Sequence, residues 1–144
     1  KYPIIRFTPA IKSLNYIGNM LAKKDAENKN AFEPVFYNGN GLITECAIRN
    51  IFFVQDKELL TPSLKLGVLP GVMRDTIISI SKELNLNAKE SNISIDSIND
   101  MDEAFISSTG IGILPCYWDG WNSDFIITTK LKQHIDRLLK SAQH

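Results

Sequence analysis

The sequence offers little that would direct it to a membrane, a nucleic acid or a metal. Its longest uninterrupted apolar runs are only a few residues, far short of the roughly 20 that a bilayer-spanning helix needs, so no span is expected. Neither charge is in surplus, with sixteen Lys plus Arg against sixteen Asp plus Glu, and no net positive field draws the chain to phosphate backbones or anionic lipid. It has only two histidines and two cysteines. Cys46 and Cys116 lack a short metal-ligand spacing and lie in or beside apolar strand-like runs, which favours buried free thiols in a cytoplasmic protein over a disulfide or a zinc site. No Met precedes Lys1, and the opening Lys-Tyr-Pro-Ile-Ile-Arg has no long apolar segment of a signal peptide. The expectation is a chain entered partway. No solenoid repeat and no Pro/Gly/Ser linker divides it. What is present, 144 residues of which 44% are hydrophobic and 22% charged, suffices for one domain with its own core.

The periodicity predicts a strand over 3–7, then a helix marked by Leu14, Ile17 and Leu21 that ends in the polar stretch 24–30. Residues 34–45 read as a hairpin around Asn38-Gly39-Asn40-Gly41, because Asn-Gly pairs tolerate positive φ. Ile51-Phe52-Phe53-Val54 is a continuous apolar run, and so a strand buried on both faces. A turn at 55–57 leads into Leu59-Leu60-Thr61-Pro62. Gly71 opens the strongest helix, whose core stripe is Met73, Ile77, Ile80 and Leu84. Later strands are expected at 104–107 and 113–117, and Leu131, Ile135, Leu138 and Ala142 mark a final amphipathic helix. Strands and helices interleave without a strict βαβ rhythm, which points to an α+β fold with a mixed, barrel-like sheet.

Four features carry chemistry. Lys12, one of 12 lysines, stands at a helix entrance between apolar neighbours; the bland reading is a solvated amine. The functional reading is an amine whose pKa is lowered by an electropositive, desolvated place, as Schiff-base chemistry requires. Glu45 is a carboxylate in apolar company, for which the bland reading is an ion pair with Arg49 and the functional one is a partner for a protonated heterocycle nitrogen. Leu69-Pro70-Gly71-Val72-Met73-Arg74 runs into a helix, and Ser107-Ser108-Thr109-Gly110 leaves a strand in hydroxyl-bearing residues. Free N–H groups at a helix start bind phosphate and hydroxyls add donors, although Pro-Gly before a helix is usually only a turn and cap. Two anion sites, a lysine and a buried carboxylate together describe pyridoxal 5′-phosphate.

The same blocks, with Ile11-Lys12-Ser13-Leu14-Asn15-Tyr16, Gly41-Leu42-Ile43-Thr44-Glu45 and Asp102-Glu103-Ala104-Phe105-Ile106-Ser107-Ser108-Thr109, resemble the C-terminal part of the fold-type IV pyridoxal-phosphate enzymes, the class IV aminotransferases. The resemblance implies that 1–144 is the cofactor-binding domain of such an enzyme and lacks a smaller N-terminal domain. It implies that Lys12 is the Schiff-base lysine and proton shuttle, and that Glu45 faces the pyridine nitrogen. Val72, Met73 and Thr109 would bind phosphate, Leu69 would pack on the ring, and Tyr16 would lie near the phenolic oxygen. Asn50 has a structural role by the same comparison. Met73 stands where many transaminases have threonine, and the tail, Trp118-Asp119-Gly120-Trp121 followed by Thr128-Thr129-Lys130-Leu131, is short and lacks the Gly-Pro-Val-Thr-Lys run of transaminases; by the resemblance both favour the 4-amino-4-deoxychorismate lyase branch, which releases pyruvate and leaves 4-aminobenzoate for folate synthesis. The alternatives are a D-amino-acid or branched-chain aminotransferase, or a fragment retaining only the fold. A small-molecule amino substrate and a homodimer are implied, with no nucleic-acid or membrane partner.

Overall fold

The computed structural model describes residues 16–141. The expected strand at 3–7, Lys12, Leu14 and Ala142 lie outside the described residues.

Helix α1 (Ile17–Glu27) forms where expected, but it does not seat the stripe that marked it. Its buried positions are Asn19, Ala22 and Ala26, while Ile17, Met20 and Leu21 are half or more exposed. Small side chains allow a close approach, and Asn19 Nδ2 donates to Ala47 O at 2.5 Å, so a polar contact aims the helix. Strands β1 (Val35–Tyr37) and β2 (Ile43–Cys46) pair antiparallel as the expected hairpin. Its turn is organised by Asn38, whose Oδ1 accepts from Asn40 N (2.9 Å) and Leu42 N (3.1 Å). Gly41 takes the positive φ of 72°.

Strands β3 (Asn50–Gln55), β4 (Glu58–Pro62), β5 (Ala88–Ser91), β6 (Glu103–Ser108) and β7 (Gly112–Pro115) form a sheet of order β5-β4-β3-β6-β7. The β3–β4 turn places both Asp56 and Lys57 at positive φ, the geometry that matches the twist of a two-residue hairpin. Only β4 and β5 run parallel. Their crossover is α2 (Val72–Glu83), so the sheet contains one βαβ unit that the sequence pattern did not indicate. β7 ends at Pro115, short of the expected Tyr117, where the chain turns into a small Trp118–Trp121 bridge with stacked indoles.

Alternation along β3 divides the core. Phe52 and Val54 pack with Leu59, Ile77, Ile80, Phe105 and Leu131 beneath α2 and α3 (Ile126–Ser141). Ile51 and Phe53 pack on the opposite face with Ile43, Leu60, Ile93, Met101 and Ile106. In α3, Leu131 and Ile135 are buried but Leu138 is 45% exposed, since the last turns run past the sheet. Bonds from Ile43 N to Ile93 O (2.8 Å) and from Ile95 N to Gly41 O (2.9 Å) tie the separate β1–β2 ribbon to the segment after β5. The observed class is the expected α+β one.

Candidate active site

One face of β3 and β6 presents three cross-strand pairs in register: Asn50 with Ser107, Phe52 with Phe105, and Val54 with Glu103. Directly opposed residues of antiparallel strands share a face. The apolar middle supports the helices, and each polar end meets a helix start. At one end the Glu103 carboxylate accepts from Ile127 N and Thr128 N, both at 2.7 Å, and so caps α3 with a protein anion. At the other end α2 begins at Gly71 with no side-chain cap. Its first intrahelical bond is Asp75 N to Gly71 O, 3.0 Å, so the amides of Val72, Met73 and Arg74 precede any intrahelical acceptor.

That uncapped start forms one wall of a cleft of about 570 Å³. The end of β2 forms another and brings in Glu45, which is buried and accepts from Leu69 N at 3.1 Å. The bland alternative for Glu45, an ion pair with Arg49, is not what forms. Arg49 Nη1 lies 2.5 Å from Glu33 Oε2, and Glu33 also accepts from Ile48 N (3.1 Å) and lies 3.4 Å from Lys23 Nζ. The chain turns after β2 through Cys46 N to Arg49 O (2.9 Å), and Arg49 meets Glu33. The end of β6 supplies the third wall, with Ser107, Ser108 and Thr109.

Of the site residues expected from sequence, Tyr16, Glu45, Leu69, Val72, Met73 and Thr109 all line this cleft; Lys12 lies outside the described residues. The Met73 side chain is buried in the core while that of Val72 is exposed, and the amides of both lie in the uncapped first turn of α2. Three further contributors were met in the sequence only as members of a motif or, for Asn50, as a structural residue. Asn50 Nδ2 donates to Leu69 O at 2.9 Å. The Ser107 hydroxyl is buried with no hydrogen-bond partner among the described residues. Arg74, also buried, binds Pro62 O (3.2 Å) and Glu90 Oε1 (2.8 Å) and anchors the first turn of α2. Arg74 stands in a motif quoted above, but only the strand register shows that Asn50 and Ser107 face each other.

The titratable groups fit this division. Burial pushes the Cys46 thiol well above its ordinary value, with Glu33 adding to the effect, and burial raises Cys116 to about 12. Both cysteines are free, and as neutral thiols neither is a nucleophile at neutral pH. Among the described residues no group of three His, Cys, Asp or Glu could hold a metal ion, and no helix is long and apolar enough to cross a membrane.

The cleft suits a phosphorylated heterocycle. It brings together an uncapped helix start, an orphaned hydroxyl and a buried carboxylate, with Leu69 also on its lining.

The class IV aminotransferase family model matches residues 2–117, and the chain belongs to that family, whose members are pyridoxal-phosphate-dependent enzymes. It is 40% identical over 105 residues to the D-alanine aminotransferase of Listeria monocytogenes, covering 73% of this chain and 36% of the relative. It is 37% identical over 101 residues to the branched-chain-amino-acid aminotransferase of Escherichia coli, covering 70% and 33%. Among solved structures it superposes on a candidate 4-amino-4-deoxychorismate lyase from Legionella pneumophila with a TM-score of 0.86 at 25% identity, covering 94% of this chain and 53% of the other. The pyridoxal-phosphate form of a branched-chain aminotransferase from Thermobaculum terrenum gives 0.86 at 27%, covering 95% and 48%. The chain thus spans about a third of the length of these curated relatives.

Proposed function

We propose that this chain forms the pyridoxal-phosphate site of an enzyme acting on the amino group of a small amino acid. The observation that carries the reading is the convergence of Tyr16, Glu45, Leu69, Val72, Met73 and Thr109 on one cleft from separate parts of the chain. In this proposal the Val72 and Met73 amides and Thr109 hold the phosphate. Glu45 keeps a proton on the ring nitrogen, Leu69 supports the ring face, and Tyr16 stands by the phenolic oxygen. Lys12 supplies the amine and afterwards moves the proton at the substrate α-carbon. When bound, the cofactor supplies an electron sink for negative charge at that carbon. A homodimer belongs to the same proposal, and sedimentation equilibrium tests it.

Amino transfer is the reaction the comparisons favour, because the relatives at 37–40% identity are aminotransferases. The lyase reading rests on Met73 in the phosphate loop and on the Legionella structure. Borohydride reduction with pyridoxal phosphate, followed by peptide mass mapping, is expected to label Lys12 in the wild type and to give no site-specific label in Lys12→Ala. An unlabelled wild type sinks the cofactor reading and leaves the fold alone retained. D-alanine or branched-chain donors with 2-oxoglutarate, set against pyruvate and 4-aminobenzoate release from aminodeoxychorismate, separate the two reactions.

A further inference from the structure

The main chain of Leu69 is gripped on both sides. Its N–H donates to Glu45 Oε2 at 3.1 Å, and its carbonyl accepts from Asn50 Nδ2 at 2.9 Å. Two residues on, Asn50 meets the loop again. A Cβ placed on Gly71 would lie 2.1 Å from Asn50 Oδ1 and 3.3 Å from its Cγ, well inside contact distance, so the asparagine fills the space that a glycine leaves. Asn50 is itself buried at the first position of β3 and opposes Ser107. The buried Ser107 hydroxyl, without a partner among the described residues, is an independent sign that this end of the cleft awaits a ligand, since buried hydroxyls are ordinarily satisfied.

We propose, resting on the cofactor reading above, that Asn50 is the positioning residue of the phosphate end. It does not touch the phosphate. It fixes the Leu69 carbonyl and the Gly71 backbone, and through them the direction of the Val72 and Met73 amides; Glu45 holds the N–H of the preceding peptide unit separately.

The test compares binding of pyridoxal 5′-phosphate with that of pyridoxal, which lacks the phosphate, by absorbance titration of the 144-residue chain. The wild type is expected to prefer the phosphorylated form. In Asn50→Ala the preference should fall by about tenfold, the scale of one charge-assisted hydrogen bond, with pyridoxal affinity changed by less than about threefold. Asn50→Asp, of the same shape but turning a carboxylate towards the Leu69 carbonyl, should lose at least as much. Gly71→Ala pushes on the same contact from the other side and should lower the preference too, so the test stands even if Asn50→Ala fails to fold. An unchanged preference in any of these variants that melts like the wild type, or an equal loss for both ligands, overturns the proposal while leaving the cofactor reading intact. A wild type that binds neither ligand overturns both.

Discussion

Two buried carboxylates at strand ends receive main-chain N–H donors, yet they do different work. Glu103 takes two amides of the first turn of α3, and the α-helical start it holds is preceded by Phe125 at φ 52°, a costly conformation for a bulky residue that persists only when its surroundings enforce it. Glu103→Ala leaves two helix-start donors without their acceptor and is expected to cost about 2–4 kcal/mol; Glu103→Gln, which retains one acceptor oxygen, should cost about half as much. Urea unfolding with an unchanged slope checks this, and a loss within about 0.5 kcal/mol of zero would show that water replaces the carboxylate. Glu45, by contrast, accepts the amide of a loop residue and lines the cleft. Its membership in the site was legible as a carboxylate in an apolar setting. Ser107 was legible as one of a hydroxyl-bearing segment, but its pairing with Asn50 was not, because that depends on a cross-strand register that no local pattern encodes.

At the level of elements, the legible ones were those whose burial follows from their own residues. The four consecutive apolar residues of β3 had to be covered on both faces, and the α2 stripe of Met73, Ile77 and Ile80 had to find a core. Strand β5 went unseen because Ala88-Lys89-Glu90-Ser91 has no apolar alternation; it is a strand only through its parallel pairing with β4. Likewise the covered face of α1 is set by Ala47, not by its largest apolar residues. Polar β5 nonetheless anchors α2 through Glu90, which accepts from Arg74, Ser63 Oγ (3.0 Å) and Leu64 N (3.2 Å). Partial burial alone would raise the Glu90 carboxyl, but these bonds outweigh it and hold the group below its ordinary 4.5. A depressed folded value means that the stabilisation is present above about pH 4.5 and is lost as the pH falls through the lower folded value. Glu90→Gln is therefore expected to lower stability by about 1 kcal/mol at neutral pH, a small figure because the side chain is 40% exposed and screened. The gap from wild type should close on acidification below 4.5. A gap that stays constant to pH 2 in thermal melts would contradict the anchor.

For the molecule as a whole, β3 and β6 each belong to both core clusters. Phe52 and Phe105 stack on the helix side at 4.9 Å, and Phe53 and Ile106 pack on the other. Neither cluster can open without exposing the back of the other, so unfolding should be a single transition. Phe52→Leu and Phe53→Leu, which trim opposite clusters, should each cost about 1–2 kcal/mol and shift the same midpoint by far-UV and near-UV circular dichroism. Separate midpoints would show that the clusters are independent. The tryptophan pair gives this question its optics. The chain has only two tryptophans, and both lie in one bridge, their rings 4.0 Å apart and 5° from parallel. Indoles so close couple as a single chromophore, so the intrinsic fluorescence of this protein reports one hairpin beyond β7, and a dye-free melt watches that corner unless it unfolds with everything else.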